Sequence, residues 1–205
     1  MNETAQKAGA LESCFKNPHG LPLEGHYTTA RDLNLIACYA MQNDAFRQIV
    51  GTRYYQPRNW ANKNTMLKNY EGAVGIKTGY TKQAGRCLVS AAEKEGMTLV
   101  CTVLNCSPMY ERSQQLLDEA FAAYENVRIL GADTPVRVKV KGKTAAGYTK
   151  EDLYYPLLPE EQLHLKMEII SREEMGAMGK NDEIIGQIKI YLINRLLFSR
   201  NLYKL

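Results

Sequence analysis

Gly72-Ala73-Val74-Gly75-Ile76-Lys77-Thr78-Gly79-Tyr80-Thr81-Lys82-Gln83-Ala84-Gly85-Arg86-Cys87 is the stretch around which this chain is organised. It holds four glycines and a Lys-Thr-Gly tripeptide, and it runs into the strand-like segment Leu88-Val89-Ser90-Ala91-Ala92. A lysine ammonium and a threonine hydroxyl on an exposed strand edge can hold a carboxylate. The glycine after them has no side chain, so the backbone there can lie against a bound group. A lone Lys-Thr-Gly also occurs in ordinary surface turns, where the lysine is simply solvated. The whole stretch is far more specific than the tripeptide.

Downstream of this stretch, Glu93-Lys94-Glu95-Gly96 joins Leu88–Ala92 to Thr98–Leu104 as a hairpin. The second strand has few polar residues, which predicts a buried central strand. Glu111 to Val127 reads as a long helix with Leu116, Leu117, Ala120, Phe121 and Tyr124 on one face. Upstream, residues 1–10 read as a helix stopped near Gly9. Phe15 to Leu21 is a turn-rich loop around Pro18 and Gly20. Thr28 or Thr29 is the natural N-cap of a helix whose first turn holds Asp32. Leu33, Ile36, Ala37 and Ala40 supply its apolar stripe. Asn43-Asp44 opens a shorter helix that ends at Gly51. Arg53-Tyr54-Tyr55 is strand-like, and Asn59 to Asn64 is a polar loop. Beyond Arg128 the pattern changes to short β runs separated by turns. Val136 to Val140, Leu153 to Pro156, Leu163 to Ile170 and Ile184 to Ile193 make a small β module. A turn at Asn194-Arg195 precedes its last strand, Leu196-Leu197-Phe198.

Composition fits a globular chain of one domain, or one plus a smaller second. It has 205 residues, 45% of them hydrophobic. The net charge of +4 is too small and too dispersed to argue for nucleic acid. The five cysteines are odd in number and lack Cys-x-x-Cys spacing, so no disulfide framework is expected. Cys87 and Cys101 fall in strand-like runs and are expected to pack as small hydrophobes. His19, His26 and His164 are too scattered for a metal site. No metal or cofactor is expected. The first residues lack the apolar core of a signal peptide, and no 18-residue apolar run occurs.

With these pieces placed, the chain resembles the serine-type D-alanyl-D-alanine carboxypeptidases, the low-molecular-mass penicillin-binding proteins. The resemblance is carried by Asn17-Pro18-His19-Gly20-Leu21, by His26-Tyr27-Thr28-Thr29-Ala30-Arg31-Asp32-Leu33, and by Asn62-Lys63-Asn64. It is strongest at Gly75-Ile76-Lys77-Thr78-Gly79-Tyr80-Thr81 with Ala84-Gly85. It covers about residues 1–127, and residues 128–205 look like the small β-rich C-terminal domain of the same enzymes. The implied fold class is α+β: part of a transpeptidase/β-lactamase-like domain, an antiparallel sheet with helices, followed by a small all-β domain. The family's catalytic sheet has five strands with helices on both faces. The implied activity is removal of the terminal D-Ala from peptidoglycan stem pentapeptides through a serine acyl-enzyme, in the bacterial cell envelope. The implied partners are stem peptides ending in D-Ala-D-Ala and, for the full-length enzyme, β-lactams. By position, Lys77 would bind the terminal carboxylate and Thr78 would add a hydroxyl. Gly79 would leave the backbone bare, and the N–H of Tyr80 would be one oxyanion-hole donor.

Two motifs of that family are expected upstream. One is Ser-x-x-Lys, the nucleophile with its general base; the other is Ser-x-Asn. Ser13-Cys14-Phe15-Lys16 matches the first by letter, but it runs into a proline-glycine loop where the nucleophile should open a long buried helix. Ser199-Arg200-Asn201 matches the second by letter and lies in the β module. The expectation is therefore an N-terminally truncated enzyme, inactive alone, with no nucleophile and no general-base lysine. The alternative is a non-catalytic module for peptidoglycan stems or an envelope protein, and a third reading is an unstable truncation product. His19 is expected to stabilise its own loop, Asn62 and Asn64 to form turns, and Trp60 to pack. Arg86 is a weak candidate for the cleft. Lys189, Arg195, Arg200 and Lys204, with no acid after Glu183, raise peripheral contact with an anionic membrane surface. A strand pair with exposed basic residues is the simpler reading.

Overall fold

Where the chain can satisfy its own helix ends, helices start. In the computed structural model, which describes residues 1–175 and 183–205, the Thr29 side chain accepts a hydrogen bond from the Asp32 N–H at 3.1 Å. That cap opens α2 (Ala30–Ala40). The Asn43 side chain accepts from the Phe46 N–H at 3.0 Å and opens α3 (Asp44–Gly51). A short α1 (Asn2–Lys7) precedes them. The chain divides into two units, Met1–Ala122 and Ala123–Leu205.

In the first unit a small hairpin pairs β1 (Tyr54–Tyr55) with β2 (Trp60–Ala61). It is followed by α4 (Met66–Asn69). Three longer strands then form one antiparallel sheet: β3 (Ala73–Thr81), β4 (Gly85–Lys94) and β5 (Met97–Val103), in that spatial order. β4 joins β5 through Glu95 and Gly96, both at positive φ (52° and 75°), the two-residue turn whose twist suits a hairpin. α5 (Met109–Ala123) closes the unit.

Strand alternation sends side chains to two faces, and each face is covered by helices. One cluster gathers Leu88, Ala92, Cys101 and Val103 with Met66 and Tyr70 at α4 and Met109 and Leu117 of α5. The other gathers Ile76 and Ala91 with Ala37 and Met41 at α2 and partly buried Phe46 and Val50 of α3. Thr102 of β5 also donates to the Asn34 side chain of α2 at 3.1 Å.

The second unit is β-rich. β6 (Glu125–Leu130) pairs with β9 (Leu153–Leu157). The remaining strands are β7 (Val136–Val140), β8 (Lys143–Tyr148), β10 (Leu165–Ser171), β11 (Ile184–Leu192) and β12 (Arg195–Lys204). They form a second sheet in the order β10-β11-β12-β8-β7. The strict alternation of Val136 to Val140 puts Val136 and Val138 in a core with Ile185, Ile188, Ile190 and Leu202. Arg128 bridges Asp133 at 2.9 Å and Asp152 at 2.8 Å, pinning the turn after β6.

The sheet of the first unit has three strands among the described residues, in keeping with the antiparallel part-domain expected. Several expectations are corrected. β5 stands at the end of this sheet rather than its centre, so its apolar character comes from helices on both faces and not from flanking strands. The helix expected to reach Val127 stops at Ala123, because Glu125–Leu130 is claimed by pairing with Leu153–Leu157. The turn expected at Asn194-Arg195 falls at Ile193-Asn194, with Ile193 at φ 57° and Arg195 already in β12. Cys101 is buried as expected, whereas Cys87 is only half-buried. Trp60 is 59% exposed beneath the Arg58 guanidinium (5.1 Å from its ring centroid), not packed.

Candidate functional site

The site begins with the way β3 is seated. Gly51 at the end of α3 lies so close to the strand that a Cβ there would be 3.2 Å from the Val74 carbonyl oxygen. A Cβ on Gly75 would be 2.8 Å from Cγ2 of Val50. Glycine at these two positions lets α3 press onto the first half of β3. There the strand is buried at Gly75 and Ile76. A register shift lies just before them, between Ala73 and Gly75, and from Lys77 onward the strand emerges into solvent.

Lys77, Gly79 and Tyr80 are exposed and Thr78 is half-buried. On β4, Val89 stands opposite Lys77, Leu88 opposite Thr78, Cys87 opposite Gly79 and Arg86 opposite Tyr80. Because β3 ends the three-strand order, its other edge carries no strand among the described residues. The Lys77 ammonium donates to the Thr78 carbonyl. Tyr80 is 68% exposed, and the Arg86 guanidinium lies 5.9 Å from its ring centroid. The four named residues therefore share one short run of exposed strand edge, with two cations beside it and a bare backbone at Gly79.

The turn that ends β3 is tightly built. The Ala84 N–H donates to Thr81 Oγ1 at 2.9 Å. Gly85 takes φ +70°, and a Cβ there would be 2.2 Å from Asn105 Oδ1. Next to this turn an open groove of about 480 Å³ is lined by residues 22–27 and Gln83. One wall is held by His26, whose Nδ1 accepts from the Lys16 N–H at 3.1 Å and whose ring meets Phe15 edge-on.

Ser13 lies outside any helix. Its hydroxyl donates to Asp32 Oδ2 at 2.7 Å and sits 2.8 Å from Thr28 Oγ1. Asp32 is fully buried and also accepts from the Glu12 N–H at 2.7 Å. The sequence gives Asp32 only a first-turn helix role, and its pairing with a serine 19 residues away has no local signal. His19 Nδ1 accepts from the Leu21 N–H at 3.2 Å within its own loop. Asn62 Oδ1 accepts from the Asn64 N–H, and Asn64 Oδ1 from the Met66 N–H, so both shape the entry to α4. Away from the site, burial and the Asp118 carboxylate push the Tyr70 hydroxyl well above its ordinary pKa, and burial raises the Cys101 thiol. Lys77 and Arg200 are exposed on their strands, with Arg200 met by Glu151 at 3.4 Å, whereas Lys189 is half-buried opposite Glu168. Among the described residues no cluster of three or more His, Cys, Asp or Glu could hold a metal ion, and no helix is long and apolar enough to cross a membrane.

A sequence model of the D-alanyl-D-alanine carboxypeptidases (peptidase S11) matches residues 1–107, just over half of the 205. The chain is 36% identical over 152 residues to D-alanyl-D-alanine carboxypeptidase DacF of Bacillus subtilis, covering 69% of this chain and 39% of that protein. It is 27% identical over 221 aligned positions to DacA of Escherichia coli, covering 98% and 53%. The chain thus spans about two-fifths to half of the length of these relatives. Penicillin binding protein 5 from Haemophilus influenzae shares the fold over 100% of this chain and 63% of its own, with a TM-score of 0.65 at 24% identity. The DD-transpeptidase of Streptomyces K15, as an S216A mutant, matches 59% of this chain and 52% of its own, with a TM-score of 0.56 at 32% identity. With the sequence model matching more than half of its residues, the chain belongs to the D-alanyl-D-alanine carboxypeptidase family.

Proposed function

We propose that the exposed edge of β3 is the carboxylate-gripping wall of a site for peptides ending in D-Ala-D-Ala. The observation that carries this reading is the placement of Lys77 and Thr78 beside the bare backbone of Gly79 on the unpaired edge of the sheet. Lys77 binds the terminal carboxylate as a point charge, and Thr78 adds a hydroxyl donor. Gly79 admits the peptide backbone. The Tyr80 N–H serves as one oxyanion donor, a contribution of ~3 kcal/mol to the transition state in serine acyl transfer. In the whole enzyme the reaction is removal of the terminal D-Ala from peptidoglycan stem pentapeptides through an acyl-serine, at the outer side of the bacterial membrane, with β-lactams acylating the same serine.

The residues of this chain bind but do not acylate. Supporting that reading, Ser13 gives its hydroxyl to Asp32 and lies outside any helix, whereas a Ser-x-x-Lys pair needs one helical turn to bring its lysine onto the hydroxyl. Titration calorimetry with a short N-acylated peptide ending in D-Ala-D-Ala, at millimolar concentration, tests both points. Weak reversible binding that falls at least tenfold in Lys77→Ala, with no covalent label from a fluorescent penicillin, is the expected result. Equal heats for the two chains, or a covalent label, would refute it.

A further inference from the structure

β10 carries a feature that the peptide site does not use. It ends the five-strand order, so one of its edges is unpaired among the described residues. Lys166, Met167, Glu168 and Ile169 are all exposed. Yet Met167 and Ile169 stand opposite Ile190 and Ile188 of β11, which are 0% and 1% exposed. The apolar face of the sheet therefore continues onto β10 and stops there uncovered. Met167 and Ile169 are 58% and 41% exposed.

The hydrogen-bond phase of β10 fixes which groups face outward. At one end the Ile193 N–H donates to the His164 carbonyl, and at the other the Arg172 N–H donates to the Ile185 carbonyl. Both contacts lie in the register that pairs Leu165 with Leu192. Even-numbered residues of β10 thus exchange bonds with β11. Leu165, Met167 and Ile169 turn their N–H and C=O groups to the free edge. Beyond Ile170 the strand is engaged within its own chain. The Ser171 N–H donates to Glu174 Oε2 at 2.7 Å, and Glu173 Oε1 accepts from the Lys141 N–H at 2.6 Å. The free stretch is Leu165 to Ile169, and its centre is Met167.

We infer that β10 pairs antiparallel with β10 of a second copy of this chain, about a two-fold axis at Met167. In that register Met167 faces Met167 and Leu165 faces Ile169, each an outward-bonded residue opposite another, as the antiparallel ladder requires. The apolar face becomes continuous across the axis. On the opposite face Lys166 of each copy stands directly across from Glu168 of the other, in the close non-hydrogen-bonded spacing where cross-strand charges act most strongly. Shifting the axis one residue either way sets Lys166 against Lys166, or Glu168 against Glu168. The sequence thus selects one register among its neighbours and penalises the adjacent two. Glu168 already accepts from the Tyr191 hydroxyl at 2.9 Å through Oε2, which orients the carboxylate. The interface is isologous, so every contact occurs twice, and it adds a strand edge rather than a large apolar surface. Its affinity belongs to the weak, micromolar class of small interfaces.

Sedimentation equilibrium of the full chain across roughly 1–300 µM tests this. The expected result is a concentration-dependent shift from 23.2 kDa to twice that mass. Lys166→Glu and Glu168→Lys each place two like-charge pairs across the axis and should weaken association at least tenfold. The double exchange Lys166→Glu/Glu168→Lys should restore it to within about threefold. Mixing the two single variants should give a mixed dimer, because every pair across the axis is then opposite in sign. That rescue is a readout that misfolding of either variant could not produce. A chain that stays at 23.2 kDa throughout, a dimer indifferent to both charge reversals, or single variants that do not associate when mixed would each overturn the inference.

Discussion

Replacing Ser13 by alanine separates a structural serine from a catalytic one. The Ser13 hydroxyl donates to Asp32 Oδ2 at 2.7 Å, and the acceptor is a fully buried carboxylate that also holds the Glu12 N–H. A hydrogen bond to a charged acceptor contributes about 1.5–3 kcal/mol, and part of Ser13 remains in contact with solvent, so Ser13→Ala should cost about 2 kcal/mol. For a unit of this size each kcal/mol is worth roughly 3–6 °C, giving a fall of about 6–12 °C in the melting temperature of the first unit. Scanning calorimetry measures this, and a fluorescent penicillin applied to the same samples should label neither chain. Asp32→Ala should cost more, since it strands two donors at once. In that background Ser13→Ala should cost almost nothing further, a coupling of about 2 kcal/mol in the double-mutant cycle. Additive effects would refute the bonding scheme. Labelling of the parent chain that is lost in Ser13→Ala without a change in melting temperature would refute the structural assignment altogether.

Lys77→Ala should leave urea stability within about 0.5 kcal/mol of the parent, because the side chain is solvent-exposed, even as peptide binding falls. A large stability loss would show that the lysine holds the strand rather than a ligand. Leu88→Ala removes a fully buried side chain from between β4 and the α4–α5 layer and should cost about 3–4 kcal/mol by urea denaturation. A cost under about 1 kcal/mol would mean that this layer is not packed as described. In the second unit the Arg128 guanidinium, and then the Ala132 N–H, hold the Asp152 carboxyl below its ordinary range. The folded pKa is therefore lower than the unfolded one, near 4. Its stabilisation is complete above that unfolded value and is lost as pH falls through the folded one. Melting temperatures measured from pH 6 downward should fall less steeply in Asp152→Asn than in the parent, and identical slopes would remove Asp152 from the acid response.

Much of this protein is legible from short-range grammar. The caps at Thr29 and Asn43, the Glu95-Gly96 hairpin and the alternation from Val136 to Val140 each depend on neighbours within a few residues, and each folds as that local chemistry directs. The Lys77-Thr78-Gly79 signature belongs to the same class. With its flanks from Gly72 to Cys87 and the upstream stretches Asn17–Leu21 and His26–Leu33, it points to a family and to a carboxylate as the group it would grip. The errors fall where distant segments compete for a stretch. The apolar run of β5 is equally consistent with a central strand or with an end strand covered by helices on both faces. Glu125 to Val127 suits a helix until Leu153–Leu157 supplies it with a pairing partner.

Only tertiary structure settles which strand edges are free and which polar groups are buried. Nothing in the neighbouring residues tells that Asp32 is sealed beneath Ser13, or that the core face runs out at Met167 and Ile169. The reason is physical. Side-chain direction and turn type follow from local sterics, which a sequence window contains. Edge and burial follow from which other segments have already taken the hydrogen bonds and the apolar surface, and those segments lie tens of residues away.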